Sequence, residues 1–203
     1  MKTLRIISAL AALAVSVSAF ADDPVKDFSS RVSGSRVSFS YKYEMNADVR
    51  VTGRGNAIVQ GDSFKVDVDG MEMISDGKTR WTVDSEAKEI GIEKVEGTDF
   101  VDNPILIVTS FENSFKEISR NREKVQGRDC LVVDFAPVDV SGIATLAMVF
   151  SGNDLVRVVV GLEGGATTIF DVSDMKFLYP ENNGMFSYDL SALDSTWVKT
   201  DLR

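Results

Sequence analysis

The residue types that most often carry out covalent chemistry are scarce in this sequence. Its 203 residues include no histidine and a single cysteine, Cys130. Histidine is the commonest general base and metal ligand in proteins, so its absence excludes Ser-His-Asp and Cys-His catalysis and any His-ligated metal site. Cys130 lies in the apolar run CLVVDF, where we expect it to pack as a small buried hydrophobe.

The acidic residues are numerous but scattered. Asp134, Asp139, Asp171 and Asp174 lie in or near predicted strands, without the spacing of a calcium-binding loop or the paired carboxylates of a glycosidase. An enzyme on this chain would have to rely on Asp, Glu, Ser, Tyr or Lys, and no nucleophile with an adjacent base is visible. We therefore predict a protein that is not an enzyme and that holds neither a cofactor nor a metal.

The start of the chain predicts an export signal. Lys2 and Arg5 lead into an apolar run from Ile6 to Val17, and Ala19-Phe20-Ala21 places small residues at both cleavage positions. The run is shorter than the ~20 apolar residues that a membrane-spanning helix needs. We expect residues 1–21 to be a signal peptide cleaved after Ala21. Residues 22–203 should then form a single exported domain that is not embedded in a membrane.

The charge of the chain limits its partners. There are 22 basic and 31 acidic residues, which gives a net charge of −9 at pH 7. Nucleic acids and anionic lipid surfaces are both bound through Lys and Arg, so we expect neither as a partner. Strong like charge also favours a monomer. One local basic stretch, with Lys116, Arg120, Arg122 and Lys124, is either a solvated surface or a docking patch.

Alternating apolar residues predict a domain rich in β-strands. In VSFSYKYEM, Val37, Phe39, Tyr41, Tyr43 and Met45 fall on one face of a strand, and polar residues fall on the other. The next strands continue the alternation at Phe64 and Val66, Met71 and Met73, Trp81 and Val83, and Ile90 and Ile92. Asp76-Gly77 suits a tight hairpin turn, and this spacing of short strands is typical of an antiparallel meander.

Two segments predict short helices that interrupt the strands. Residues 22–32 carry a proline, Pro24, at the start of the helix and apolar residues at helical spacing. Asn103 is a suitable N-cap and Pro104 a suitable first residue for a helix from Asn103 to about Phe111, with Leu106 and Phe111 on one face.

The second half of the chain returns to strands. Four more strand-like segments are GRDCLVVDFAP, IATLAMVFSG, NDLVRVVVGLEGG and ATTIFDVSDMKFL. We expect the last strand at Met185–Leu190, after which STWVKTDLR extends or closes the sheet. An antiparallel sheet of roughly nine to eleven strands should curl toward a barrel or split into two sheets.

Two motifs carry a resemblance to a known family. SDGKTRWTVD followed by KEIGIEK, and then Asp102-Asn103-Pro104 before a helix, resemble the periplasmic carriers of outer-membrane lipoproteins, the LolA-like proteins. The closing FSYDLSALDSTWVKTDLR resembles the end of that family. The resemblance implies a mainly β (α+β) fold, in which a curved antiparallel sheet forms an unclosed barrel of about 9–11 strands under a lid of two or three short helices.

The resemblance also implies a function. The apolar space between sheet and lid would shield the acyl chains of lipoproteins, taken from an inner-membrane transporter and delivered to the outer membrane. In that family a basic residue between the second and third strands helps to hand the cargo on. The corresponding stretch here, VQGDSF at 59–64, contains no arginine, which leaves the acceptor and the release mechanism open. An alternative on the same half-barrel is an envelope regulator that senses lipids or lipoproteins.

The candidate ligand-binding residues are the apolar side chains expected to face the space under the lid. Apolar inward faces usually form plain core, and this interpretation stays open for each residue. The Trp81 indole is expected to report on acyl cargo through its fluorescence. The predicted cavity residues are Phe39, Tyr41, Tyr43, Phe64, Val66, Met71, Met73, Trp81, Val83, Ile92, Leu106, Phe111 and Met148.

Overall fold

The computed structural model describes residues 23–95, 106–138 and 142–203, without the side chains of Ser110 and Asn183. Two α-helices, α1 (Pro24–Val32) and α2 (Ile107–Ser114), accompany twelve strands. The strands are β1 (Arg36–Asn46), β2 (Arg50–Gln60), β3 (Ser63–Val68), β4 (Met71–Ser75), β5 (Thr79–Asp84), β6 (Glu89–Lys94), β7 (Phe115–Val125), β8 (Arg128–Pro137), β9 (Ile143–Ser151), β10 (Asp154–Leu162), β11 (Thr167–Leu178) and β12 (Val198–Asp201). Two 3-10 helices cover Asn183–Phe186 and Leu190–Ala192.

All twelve strands belong to one sheet, in the order β12-β6-β5-β4-β3-β2-β1-β11-β10-β9-β8-β7. Two runs of consecutive hairpins, β1 to β6 and β7 to β11, meet where β1 pairs with β11. Every pairing is antiparallel except that of β12 with β6. Strands β7 and β12 are the two edges, so the sheet is not closed into a barrel. The predicted unclosed sheet with short helices is confirmed, with one strand more than the expected maximum.

Helix α1 forms where the sequence predicts it. Asp23 is the N-cap and its carboxylate accepts a hydrogen bond from the Val25 amide at 3.1 Å, while Pro24 occupies the first turn. The buried face carries Val25, Phe28 and Val32. Helix α2 overlaps the second prediction, but its expected cap, Asn103-Pro104, and the signal segment 1–21 lie outside the described residues. Among the described helices, none has the length and apolar character needed to cross a membrane.

The predicted strand at Met185–Leu190 is wrong. This region forms the two 3-10 helices, because side chains satisfy the backbone groups that a strand would use for pairing. Asn182 accepts a hydrogen bond from the Gly184 amide at 3.3 Å, and Asp189 accepts one from the Ser191 amide at 2.9 Å. The last residues do extend the sheet, because β12 adds to the edge of β6.

The two faces of the sheet have different covers. We call the face under α1 and α2 the lid face; its buried side chains form one large cluster with those of both helices. We call the opposite face the tail face. There the segment 179–197 lies across the sheet, and Tyr188, Leu190, Leu193 and Trp197 pack on a second, smaller cluster.

The apolar surface of the sheet changes sides between β4 and β5. On β1 to β4 the lid-face row is Phe39, Ala57, Val66 and Met73, each directly opposite the next. Across β5 and β6 the same row continues with Thr82 and Gly91. The apolar residues of β5 and β6 therefore point to the tail face, where they need the cover that segment 179–197 provides.

Candidate functional site

Aromatic rings fill the space between the lid helices and the sheet. The Phe28 ring of α1 lies 6.3 Å from that of Phe111 on α2 and 5.8 Å from that of Phe150 on β9, measured between centroids. Phe111 in turn lies 5.6 Å from Phe135 on β8, edge to face. All four side chains are at most 5% exposed. In this closed state the lid face is occupied by the protein's own side chains.

A second aromatic row extends the lid face along β1. The rings of Phe39, Tyr41 and Tyr43 follow one another at 6.3 and 6.5 Å. Gly55 on β2 lies directly opposite Tyr41 on β1. A Cβ at Gly55 would collide with the Tyr41 hydroxyl and with the Asp67 carbonyl oxygen. Glycine is therefore needed for the ring to lie flat against β2. Burial raises the pKa of the Tyr41 phenol well above its usual range.

The structure divides the thirteen predicted cavity residues between the two faces. Seven are buried in the lid-face cluster: Phe39, Tyr41, Phe64, Val66, Leu106, Phe111 and Met148. Tyr43 and Met73 pack against it half-buried, and Met71, opposite Val68, is 42% exposed. Trp81, Val83 and Ile92 lie in the tail-face cluster.

The prediction of one shared cavity is therefore wrong for Trp81, Val83 and Ile92. Alternation shows which residues of a strand share a face, but not which face of the sheet that is. A role in ligand binding stays a prediction for the other ten residues. Three further side chains contact the lid and were not among the predicted cavity residues: Phe135, Phe150 and Phe177. Each of them lies on a strand in the second half of the chain, whose face is fixed only by long-range pairing.

The lid is fastened at both ends of α1 by ion pairs. At its start, Arg120 on β7 donates to both carboxylate oxygens of Asp23, at 2.8 and 3.0 Å. At its end, Arg31 donates to the Asn153 carbonyl at 3.3 Å and lies 3.6 Å from the Asp154 carboxylate. Both attachments are at the rim and partly exposed, where ion pairs contribute only about 0–1 kcal/mol each.

A pH effect follows from the first attachment. The hydrogen bonds from Arg120 hold the pKa of Asp23 below its usual value. A carboxyl whose folded pKa is below its unfolded pKa, about 3.9 for Asp, stabilises the fold above that value and loses this contribution as pH falls through the folded pKa. We expect α1 to be anchored more weakly at pH 3 than at pH 7.

The substitution Arg120→Gln tests this expectation through thermal melting at pH 7 and pH 3. The variant should melt lower at pH 7, by an amount corresponding to about 1 kcal/mol, and should lose less stability than the wild type on acidification. Lys116→Gln removes one charge from the same strand and is the matched control. An equal acid response in Arg120→Gln and wild type would contradict the role given to Asp23.

A cavity of about 630 Å³ lies beside α1. It forms because β10 and β11 pair only from Arg157 to Gly161 and from Thr167 to Asp171. Beyond these residues β10 continues along β9, whereas β11 continues along β1, so the two strands diverge. We call this space the divergence cavity. The Arg31 guanidinium lies at its edge, 4.1 Å above the Phe177 ring.

Comparisons with known proteins give similarity at the level of the fold. No family model and no curated protein matches the chain. A LolA superfamily protein from Nitrosomonas europaea is 11% identical, with a TM-score of 0.44 over 81% of this chain and 97% of that one. An uncharacterized conserved protein from Thermus thermophilus is 11% identical, with a TM-score of 0.51 over 87% of this chain and 99% of that one.

A third solved structure is a putative outer membrane lipoprotein-sorting protein domain from Vibrio parahaemolyticus. It is 16% identical, with a TM-score of 0.41 over 79% of this chain and 94% of that one. Of the three, the structure from Thermus thermophilus, with a TM-score of 0.51, shows that the chain shares its fold. Identities this low support the architecture and leave the function to be argued from the site.

Proposed function

We propose that this protein is an exported carrier that shields the acyl chains of lipoproteins on its lid face and moves them to the outer membrane. The observation that supports the proposal is the way in which the lid face is covered. Two separate short helices, and no second sheet, lie over a continuous apolar surface of the described strands. Such a cover can be displaced without breaking the sheet.

The physical requirement for such a carrier is strict. An acyl chain exposed to water costs about 0.8 kcal/mol per CH₂, so the carrier must offer a large apolar surface. Without cargo the same surface has to be covered, because exposed apolar patches lead to association. The closed lid face meets the second requirement, and displacement of α1 and α2 would meet the first.

Covering the sheet with the two helices and covering it with acyl chains stabilise the protein by similar free energies. The helices bury six main apolar side chains, each worth about 1.5–3 kcal/mol, or about 9–18 kcal/mol in all. A palmitoyl chain of about fourteen methylenes is worth about 11 kcal/mol. One or two acyl chains can therefore replace the helices on the sheet, and the helices can in turn replace departing cargo. The six side chains are Val25, Phe28, Val32, Ile107, Val108 and Phe111.

The cellular part of the proposal rests on the sequence. The predicted signal peptide, residues 1–21, would deliver the single domain, residues 22–203, to the periplasm. The resemblance of SDGKTRW and Asp102-Asn103-Pro104 to the lipoprotein carriers suggests acylated lipoproteins as cargo and an inner-membrane releasing transporter as donor. The stretch 59–64 lacks the basic residue of those carriers, so we propose no particular acceptor.

The direct test is uptake of a triacylated lipopeptide by the delipidated mature chain. We expect saturable binding of the lipopeptide below its micelle-forming concentration, and no binding of the same peptide without acyl chains. Arg120→Gln, which loosens α1, should bind faster than Lys116→Gln, which leaves the attachment intact. Failure to bind the lipopeptide, or equal binding of the deacylated peptide, would remove the basis of the proposal.

A further inference from the structure

The divergence cavity borders the lid face, but it is already open while the lid is closed. Its volume of about 630 Å³ falls within the ~300–1,000 Å³ of typical small-molecule sites. A ligand could enter it without displacement of α1 or α2. The question is which ligand chemistry its walls would accept.

One wall of the cavity is apolar. Met175 and Phe177 of β11 are partly exposed there, above the buried side chains of Phe28, Leu155 and Val172. The position of Met175 depends on a bulge in β11, where two residues lie opposite the single residue Phe39 of β1. Bulges of this kind redirect side chains and are frequent beside binding sites. A hydrocarbon chain is the complement of this wall.

The other wall is charged, and two of its cations are already neutralised. Arg157 donates to Asp171 at 2.7 Å, and Arg31 lies 3.6 Å from Asp154. The second oxygen of Asp171 accepts from Gln126 at 3.4 Å, so both oxygens of that carboxylate are engaged.

Lys42 and Arg128, on the same wall, have neither a hydrogen bond nor an ion pair from their side chains to any described residue. Lys42 lies opposite Asp171 on β11, whose two oxygens already accept hydrogen bonds from Arg157 and Gln126. On its other side Lys42 lies opposite Arg54 on β2, which carries the same charge. Like charges in such pairs are destabilising. Asp174 is the one carboxylate of the wall without a partner among the described residues. Unpaired cations therefore outnumber unpaired carboxylates, in a chain whose net charge is −9.

We propose that the divergence cavity binds a single-chain amphiphile with an anionic head group. The hydrocarbon chain lies against Met175 and Phe177, and the head group accepts hydrogen bonds from Lys42 and Arg128. Carboxylate and phosphate heads share this chemistry. The site borders the lid face, since Phe28, Leu155 and Val172 belong to both, but it does not depend on the proposed transport of lipoproteins.

Calorimetric titrations of the delipidated mature chain test the proposal, with all ligands below their micelle-forming concentrations. The ligands are palmitate, lysophosphatidic acid and the uncharged monopalmitoylglycerol. We expect at least one anionic ligand to bind about tenfold or more tightly than the uncharged one, because hydrogen bonds to a charged group are stronger than those to a neutral group. The tighter of the two anionic ligands identifies the head group.

The double variant Lys42→Gln/Arg128→Gln should lose about tenfold or more in affinity for the anionic ligand and keep its affinity for the uncharged one. The control, Lys116→Gln/Lys124→Gln, removes the same charge from β7 and should change neither affinity. Circular dichroism establishes that both variants are folded. Equal binding of anionic and uncharged ligands, an unchanged affinity in the double variant, or no binding at all would overturn the inference.

Discussion

Replacing Phe28 with alanine is expected to lower the free energy of unfolding by about 3–5 kcal/mol, the usual cost of truncating a buried phenylalanine. Phe28 is fully buried and its ring lies within 6.3 Å of the rings of Phe111, Phe150 and Phe177. Its loss removes the contacts that hold α1 to α2 and to two distant strands, so the lid should loosen more than the sheet.

Urea unfolding of Phe28→Ala against wild type measures the loss of stability, and binding of a dye specific for apolar surfaces measures the opening of the lid. Tyr179→Ala is the control, because Tyr179 is 92% exposed and its truncation should change neither quantity. A cost below about 1 kcal/mol for Phe28→Ala, with no gain in dye binding, would show that α1 is not held as the structure indicates.

The second large loss of stability is expected from a substitution on the tail face. Trp81 is 7% exposed and packs with Ile74, Val83, Ile90 and Ile92, so Trp81→Ala should also cost about 3–5 kcal/mol. Its Nε1 is buried without a hydrogen-bond partner among the described residues. Trp81→Phe should therefore cost much less, because no hydrogen bond is lost and an unsatisfied donor is removed.

The same residue distinguishes the two faces in a binding experiment. In a Trp197→Phe background, Trp81 is the remaining tryptophan of the sequence. Its emission should stay unchanged when the triacylated lipopeptide binds, because the lid face lies on the other side of the sheet. A clear shift of the Trp81 emission on binding would instead place the cargo beneath segment 179–197.

Local features of the fold could be predicted because local chemistry determines them. The turn at Asp76-Gly77 is one example: the Asp76 carboxylate accepts from the Lys78 and Thr79 amides, both at 2.8 Å, and Gly77 has a φ of +86°. The start of α1 is another, because Asp23 and Pro24 serve as cap and first turn. Such features depend on residues only a few positions apart.

The division of the predicted site between two faces depends on pairing that sequence alternation does not contain. Val66 and Trp81 belong to strands with the same period-2 pattern, yet the register across β4 places them on opposite sides. The divergence cavity depends similarly on the bulge at Asp174 and Met175 and on the end of the β10–β11 pairing. Its cationic wall combines Lys42 and Arg128, which are far apart in the chain.

Hydrogen exchange of the mature chain with and without the triacylated lipopeptide tests the displacement of the lid most directly. We expect faster exchange of the α1 and α2 amides when the lipopeptide is bound, with the amides of β5 and β6 unchanged. The deacylated peptide should leave every amide unchanged. Unaltered protection of both helices at saturating lipopeptide, or changes confined to β5, β6 and segment 179–197, would contradict it.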